Sequence, residues 1–580
     1  MNQSRENPDA TETPSTELSD AGDRSDVEKA PVFNEQTKYL PKRRIVAVFL
    51  ACASIDFAAL LDQTSLAASL SIIGNALDAS NQSSWISGGY FVTSTSFQLL
   101  YGRLSDIWSR KIILLVGIAI FFFGSLASSL AQDVVQLIVF RAFTGVGGGG
   151  LMTVAQFIVS DVVPLRERGK YQGILGAFVA LGNGVGPVIG GALASQSADS
   201  WRWIFRLNLP LSVIMVICVI FFMPLKKVEG DWRLKLKAID FIGAVLALGG
   251  SAVLVLALTW AGGEYEWRSA HVIASFVVGF AVCVFFVLWQ WKGTSVPLVP
   301  LYIFKSRVVN GASITMFING WNFVTQVYYV PTFYQLVYGY SATKAGALLL
   351  PITLTQTLSS TLSGLMVTWT GRYRENILVG WVLWAVGLGL FATLDDASGL
   401  GKQIGYAVLT GLGVGNTLQP SLVAIQAGVE RRDMAVVTSF RNFIRNLGAT
   451  LGLAIAGTIV NNSLRAALVP LGLSAADVRA LLKNPEAALG GGGAAADETR
   501  AVLKTAYKSA FRILFYVNAA LAAVAFFVAL ALLPQISLVR ADDKKLQEEA
   551  RLKEEARRNA KSEARAETKE RKEASPDNGA

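Results

Sequence analysis

The side chains able to do chemistry are few, and they stand in apolar surroundings. Asp56, Asp62 and Arg141 are ionisable residues inside long apolar runs. A charge at membrane depth costs about 2.5–3.5 kcal/mol on insertion scales, so such residues normally face a bundle interior and carry function. Two readings stand for Asp62 and Arg141. One is a buried structural ion pair. The other is a proton site, in which Asp62 exchanges a proton and Arg141 tunes its affinity for it. Asp56 is six residues from Asp62, roughly 240° around a helix, so the two acids do not share a face. Asp56 reads either as a second titratable site or as a polar-cavity residue. Another chemistry is suggested by RAFTGVGGGGLM (Arg141–Met152), which spells G-x-G-x-x-G with Gly145, Gly147 and Gly150. A dinucleotide loop needs a preceding strand, a following helix in a soluble βαβ unit, and an acid about 20 residues on. Here Arg141 is the only charge between Val134 and Val159. The glycines instead read as a packing surface inside a membrane helix, where small residues let neighbours approach closely.

Composition agrees with that reading. Of 580 residues 52% are hydrophobic and 16% charged, the balance of a multi-spanning membrane protein. The single histidine, His271, rules out a histidine cluster. Cys52, Cys218 and Cys283 lie in apolar runs and read as small packing residues, not as a disulfide framework or metal site. No enzyme constellation, metal or cofactor is expected.

The elements that must position these residues are apolar spans, and their count is fourteen. The first run starts near Ile45, so no cleavable signal peptide is expected. Basic residues cluster in alternate loops: Lys42, Arg43 and Arg44; Arg103, Arg110 and Lys111; Arg166, Arg168 and Lys170; Lys226 to Lys237; Arg372 and Arg374; Arg431 and Arg432. The positive-inside rule then places those loops and both termini in the cytosol. The net charge of +10 is a topology signal and calls for no nucleic acid. Arg441 and Arg445 read as topology charges at the start of span 13. The expected organisation is a disordered tail (1–44), a six-helix half (45–224), a two-helix insertion with linkers (225–308), a second six-helix half (309–534) with an exoplasmic loop (461–511), and a charged cytosolic tail (535–580). N-x-S sequons at Asn81 and Asn461 fall on the exoplasmic side and are candidate glycosylation sites.

The two halves repeat each other. GRLSDIWSRK (Gly102–Lys111) and GLMVTWTGRY (Gly364–Tyr373) both begin with Gly and carry Arg at the ninth position. TGVGGG (Thr144–Gly149) is echoed by TGLGVG (Thr410–Gly415). Two halves aligned in the same direction, related by an axis along the membrane normal, are a transporter design. Uncharged polar and aromatic residues gather in the second half. Asn322, Gln326, Tyr328, Gln335, Asn416 and Gln419 are candidates for a substrate cavity suited to a large amphipathic ligand.

The chain resembles the major facilitator superfamily, and within it the fourteen-spanner drug:proton antiporter branch common in fungi. GRLSDIWSRK resembles the superfamily's loop 2–3 motif, with Gly102, Asp106, Arg110 and Lys111 in place and Ser109 where Gly is usual. LDQTSLAASL (Leu61–Leu70) resembles the span 1 motif, led by Asp62. LIVFRAFTGVGGG resembles the span 4 motif, led by Arg141. GNGVGPVIGG (Gly182–Gly191) matches the antiporter motif of span 5 through Gly182, Gly186, Pro187, Gly190 and Gly191. WRWIFRLNLP (Trp201–Pro210) resembles the start of span 6. The resemblance implies an all-α integral membrane fold and proton-coupled export of drugs or a secondary metabolite by alternating access. It implies a monomer in the plasma membrane whose partners are protons, lipid and a small-molecule substrate. It further implies that Asp106, Arg110 and Lys111 form a cytosolic charge latch that breaks as the halves rock, and that the span 5 motif seals the cavity between them. A vacuolar transporter of basic amino acids is the rival reading. A non-transporting membrane sensor on the same fold is the alternative of another class.

Overall fold

The computed structural model describes residues 40, 42–67, 69–77, 83–194, 196–197, 199–223, 231–261, 265–468 and 494–540, with isolated tail positions up to residue 563. Among these residues fourteen long helices follow one another. The first six are α1 (Lys42–Ala67), α2 (Ser83–Trp108), α3 (Arg110–Leu130), α4 (Val134–Val162), α5 (Arg168–Ala194) and α6 (Arg202–Phe222). Two more, α7 (Phe241–Trp260) and α8 (Ala270–Leu288), precede the last six. Those are α9 (Arg307–Tyr338), α10 (Leu350–Thr370), α11 (Arg374–Phe391), α12 (Leu400–Ala427), α13 (Met434–Leu468) and α14 (Ala494–Leu532). Ten of them are long and apolar enough to cross a membrane. The other four, α2, α5, α9 and α10, are richer in polar or small residues. Several of those polar side chains bond inside the bundle: Thr93 Oγ1 donates to the Ala142 carbonyl at 2.7 Å, and Ser359 Oγ to that of Leu412 at 2.9 Å. Without water, a buried hydroxyl must find such a partner.

Helix packing repeats between the halves. In the first, α1 packs on α4, α5 and α6, α4 on α2 and α3, and α3 on α6. Adding eight to each label gives the packing of the second half. Glycines explain much of this. Gly145 and Gly149 lie against α2 and Gly147 against α3. Their echoes Gly411 and Gly415 lie against α10, and Gly413 against α11. A Cβ on Gly147 or Gly413 would stand 2.6 Å from a neighbour's backbone nitrogen. The second half packs around Trp381, Trp384, Phe333, Phe511 and Phe515. Phe49, Phe157, Tyr171 and Met215 fill the first half towards its basic end.

Between the halves α5 packs on α10 and α2 on α13, a pair that the same shift exchanges. Close approaches occur at glycine. A Cβ on Gly102 would run into Ser439, and Gly169 and Gly364 meet backbone to backbone. Gly102 and Gly364 are the opening residues of the repeated loop motif, so the repeat marks where each half touches the other. Hydrogen bonds between the halves cluster towards the basic end. Arg166 donates to the Thr368 and Trp369 carbonyls, each at 3.0 Å. Arg168 donates to Gln426 Oε1 at 2.8 Å, and Gln426 in turn to Ser160 Oγ at 2.9 Å. Asn442 reaches Gln156 at 3.0 Å, and Asn446 reaches Gln98 at 3.3 Å. Arg166 and Arg168 are therefore more than topology charges.

The inserted α7 packs on α2 and α13, and α8 packs on α7 with Ile273, Val277 and Phe280 outward. Two expectations change. The segment 461–511 is not all loop: α13 runs on to Leu468, and α14 begins at Ala494. At 1.5 Å per residue α14, with 39 residues, is about 58 Å long, well beyond a bilayer core of about 30 Å. Lys504 and Lys508 on this extension pair with Asp396 at 3.2 and 3.4 Å. The tail, expected only as a charged segment, is tied down at its start. Tyr373 Oη donates to the Pro534 carbonyl at 2.6 Å, and Arg431 pairs with Asp543 at 2.6 Å, which straps the tail beneath the second half.

Candidate functional site

Asp62 of α1 and Arg141 of α4 meet in the first half. Arg141 Nη1 lies 3.0 Å from Asp62 Oδ1 and 2.8 Å from Oδ2. Their side chains are 0% and 1% exposed. Asn208 of α6 donates from Nδ2 to Asp62 Oδ1 at 2.6 Å and to Ser125 Oγ of α3 at 3.2 Å. The Arg141 guanidinium lies 4.6 Å from the centre of the Tyr90 ring and 5.6 Å from that of Phe205. Gln63 donates to Tyr90 Oη at 3.3 Å. The carboxylate is thus held by one cation and one amide, and the cation is stacked on two aromatic faces. Protonation would weaken both bonds to the carboxylate and loosen the tie between α1, α4 and α6. Asn208, Tyr90 and Phe205 escaped sequence reasoning. Asn208 had a signal, since it lies in the RLNLP of the span 6 motif. Asp56 is buried, and its Oδ1 has no hydrogen-bond partner among the described residues. The structure does not bring it to the Asp62 cluster.

The loop 2–3 residues form a tight cluster. Arg110 Nη1 donates to Asp106 Oδ1 and Ser105 Oγ, both at 2.6 Å, and its Nε to Asp161 Oδ2 at 2.9 Å. These bonds tie α2, α3 and the end of α4 within one half. Gly102, the first residue of the motif, lies against Ser439 and Ala435 of the other half. Lys111 takes a different role: its Nζ donates to the Ile220 and Met223 carbonyls at 2.9 and 3.3 Å, closing the end of α6. Asp161 was missed. Ser109 has φ 120°, a region that favours glycine, and its second-half counterpart Gly371 has φ 70°.

Three glycines of the span 5 motif pack on the first helix. Gly186 and Gly190 pack against Thr64 and Ser65 of α1, and Gly182 against Phe57 and Leu60. Thr64 Oγ1 donates to the Gly182 carbonyl at 3.2 Å. These three glycines seat the helix that carries Asp62. Contact with the second half comes earlier in α5, at Gly169 and Gly176. Gly191 has open space at its Cβ position. Pro187 lies within α5, and its side chain is outside the described set.

The proposed cavity residues divide. Asn322 Nδ2 donates to the Asn518 carbonyl at 3.1 Å, and Gln326 Oε1 accepts from Trp384 Nε1 at 3.1 Å. With Trp321, Thr325 and Asn518 they join α9, α11 and α14. One end of each amide thus holds helices together, while Asn322 Oδ1 and Gln326 Nε2 are buried without a hydrogen-bond partner among the described residues. Asn416 donates to its own helix at the Leu412 carbonyl, 3.0 Å away. Tyr328 is 49% exposed, Gln335 is half-buried, and Gln419 Oε1 is buried without a partner among the described residues. Arg441 and Arg445 are not surface topology charges: Arg441 is buried and Arg445 half-buried among α9 and α12. Asn461 lies inside α13, which continues beyond it through SLRAAL to Leu468, so it is not in an open loop. Asn81 lies outside the described residues.

Two pseudo-symmetric six-helix halves, closed together at one end around buried polar residues, define a membrane transporter. The Major Facilitator Superfamily profile matches residues 52–453, and the chain belongs to that family. It is a multi-pass membrane transporter and not an enzyme. It is 34% identical over 453 residues to Citrate exporter 1 of Yarrowia lipolytica, covering 78% of this chain and 67% of that one. It is 32% identical over 425 residues to Efflux pump dotC of Dothistroma septosporum, covering 73% of each. Among solved structures, the proton:xylose symporter XylE aligns with a TM-score of 0.56 at 10% identity, covering 87% of this chain and 98% of that one, which shows a shared fold.

Proposed function

We propose that the protein is a proton-coupled secondary transporter that exports amphipathic small molecules by alternating access, and that Asp62 carries the proton. The observation behind this is the buried Asp62 carboxylate, held by Arg141 and Asn208 where three helices of the first half converge. No second-half arginine matches Arg141, since Ala407 stands at the repeat offset. That asymmetry suits a proton site confined to one half. Relatives named as an efflux pump and an exporter support the outward direction, and the plasma membrane is the site such a role requires. The seal at the basic end corresponds to the outward-facing member of the cycle. Transport of basic amino acids is disfavoured, because the second half holds two cations, Arg441 and Arg445, between its helices. Purified protein in proteoliposomes with an imposed pH gradient provides the test, using a panel of amphipathic compounds. Accumulation should follow the gradient and stop when an ionophore collapses it. Transport indifferent to the ionophore would reject the coupling.

A further inference from the structure

Arg441 and Arg445 stand one turn apart on α13, on a common face. Arg441 donates from Nη2 to the Leu418 carbonyl at 2.7 Å and from Nη1 to Asn442 Oδ1 at 3.2 Å, and its Nε has no partner among the described residues. Arg445 donates from Nε to Asn319 Oδ1 at 2.9 Å, and its guanidinium lies 5.4 Å from the centre of the Phe323 ring. Every one of these partners is neutral. Arg141 in the first half is neutralised by Asp62 at 2.8 Å, whereas no ion pair joins Arg441 or Arg445 to an acid among the described residues. Two like charges without a counter-ion are costly inside a membrane protein. The neighbouring stripe of α13, Asn442 and Asn446, reaches across to the first half. The pair therefore lies beside the seam that must open and close in a transport cycle. The amide oxygen of Gln419, next to Leu418, is also buried and unpartnered.

We infer that Arg441 and Arg445 are a docking pair for the anionic group of the transported molecule, an organic carboxylate, an inference that rests on the transporter reading above. A carboxylate presents two oxygens in one plane, which suits guanidinium donors. Bound between the pair, it would supply the missing counter-charge. The amphipathic remainder of the substrate would lie against Phe323.

The experiment uses the full chain in proteoliposomes and in detergent. The probes are citrate and decanoate, each beside its neutral methyl ester, with decylamine as the cationic control. Wild type should be stabilised against heat by at least one carboxylate at millimolar concentration, and should transport it in preference to its ester. Arg441→Gln and Arg445→Gln should each weaken that binding by at least about tenfold, with partial rescue in Arg445→Lys. Without ligand, Arg441→Gln should melt no lower than wild type, because an uncompensated charge has been removed. Arg141→Gln, which strips Asp62 of its partner, should melt lower. The inference is overturned if neither carboxylate stabilises wild type, if the esters or the amine are preferred, or if carboxylate preference survives in the double Gln variant. Carboxylate transport that ignores the pH gradient would reject proton coupling and leave the docking pair standing. Gradient-driven transport of the amine alone would do the reverse.

Discussion

Replacing Gly169 by Ala should open the basic end while leaving each half folded. A Cβ on Gly169 would stand 2.5 Å from the Gly364 carbonyl oxygen and 2.9 Å from its Cα. Both obstacles are backbone, so α5 and α10 must separate. Overpacking of this kind costs about 1–3 kcal/mol. The cost falls only on the state in which the two helices touch there. At about 1.4 kcal/mol per factor of ten, the open-to-closed ratio at that end should rise by about 5- to 150-fold. A single reporter cysteine can read this shift. Ser360 is buried in the seam facing Gly176, and Ser360→Cys fits a background in which Cys52, Cys218 and Cys283 are replaced by Ala. Its labelling by a membrane-impermeant maleimide from the basic side should accelerate in the Gly169→Ala variant. Unchanged labelling of a folded variant would show that the halves do not pivot at this contact.

Three further outcomes are expected. Ser109→Gly should raise the melting temperature, because it removes backbone strain of about 1–3 kcal/mol for at most about 1 kcal/mol of added chain entropy; a fall would contradict the strain. Gly186→Leu should abolish transport by forcing α1 off α5 beside Asp62, with protein still reaching its membrane, and normal transport at normal abundance would count against the seating role. A glycosylation sequon inserted near Gly491 should be modified and one inserted in the 541–580 tail should not, and modification of the tail would overturn the topology.

Much of the architecture was legible because membrane helices declare themselves by long apolar runs, and because the repeated glycines had a contact reason to persist. Gly102 and Gly364 open the two copies of the loop motif, and in both halves that glycine leaves no room for a Cβ against the other half. Asp62 and Arg141 were legible as charges with no water to hold them. What the sequence concealed were long-range pairings. Nothing in the spacing of Asn208, 146 residues from Asp62, says that its amide completes the carboxylate's shell. The antiporter motif was legible as a packing face but not as to its partner, since glycines at four-residue spacing fit α1 and α10 equally well. Arg441 and Arg445 were misread because they follow the basic pair Arg431 and Arg432 closely. A turn or two of helix is enough to carry a residue from the membrane surface into the bundle. Asn322 and Gln326 fit a cavity by type, and the sequence could not show that each also bonds a neighbouring helix through one end of its amide.

The most direct test of proton coupling through Asp62 compares wild type with Asp62→Asn in proteoliposomes, measuring substrate exchange without a gradient and accumulation with one. Asn keeps the shape of the side chain and an oxygen for Arg141, but it cannot carry a proton. The account predicts that exchange persists while accumulation driven by the pH gradient is lost. Full gradient-driven accumulation by a folded Asp62→Asn variant would contradict it.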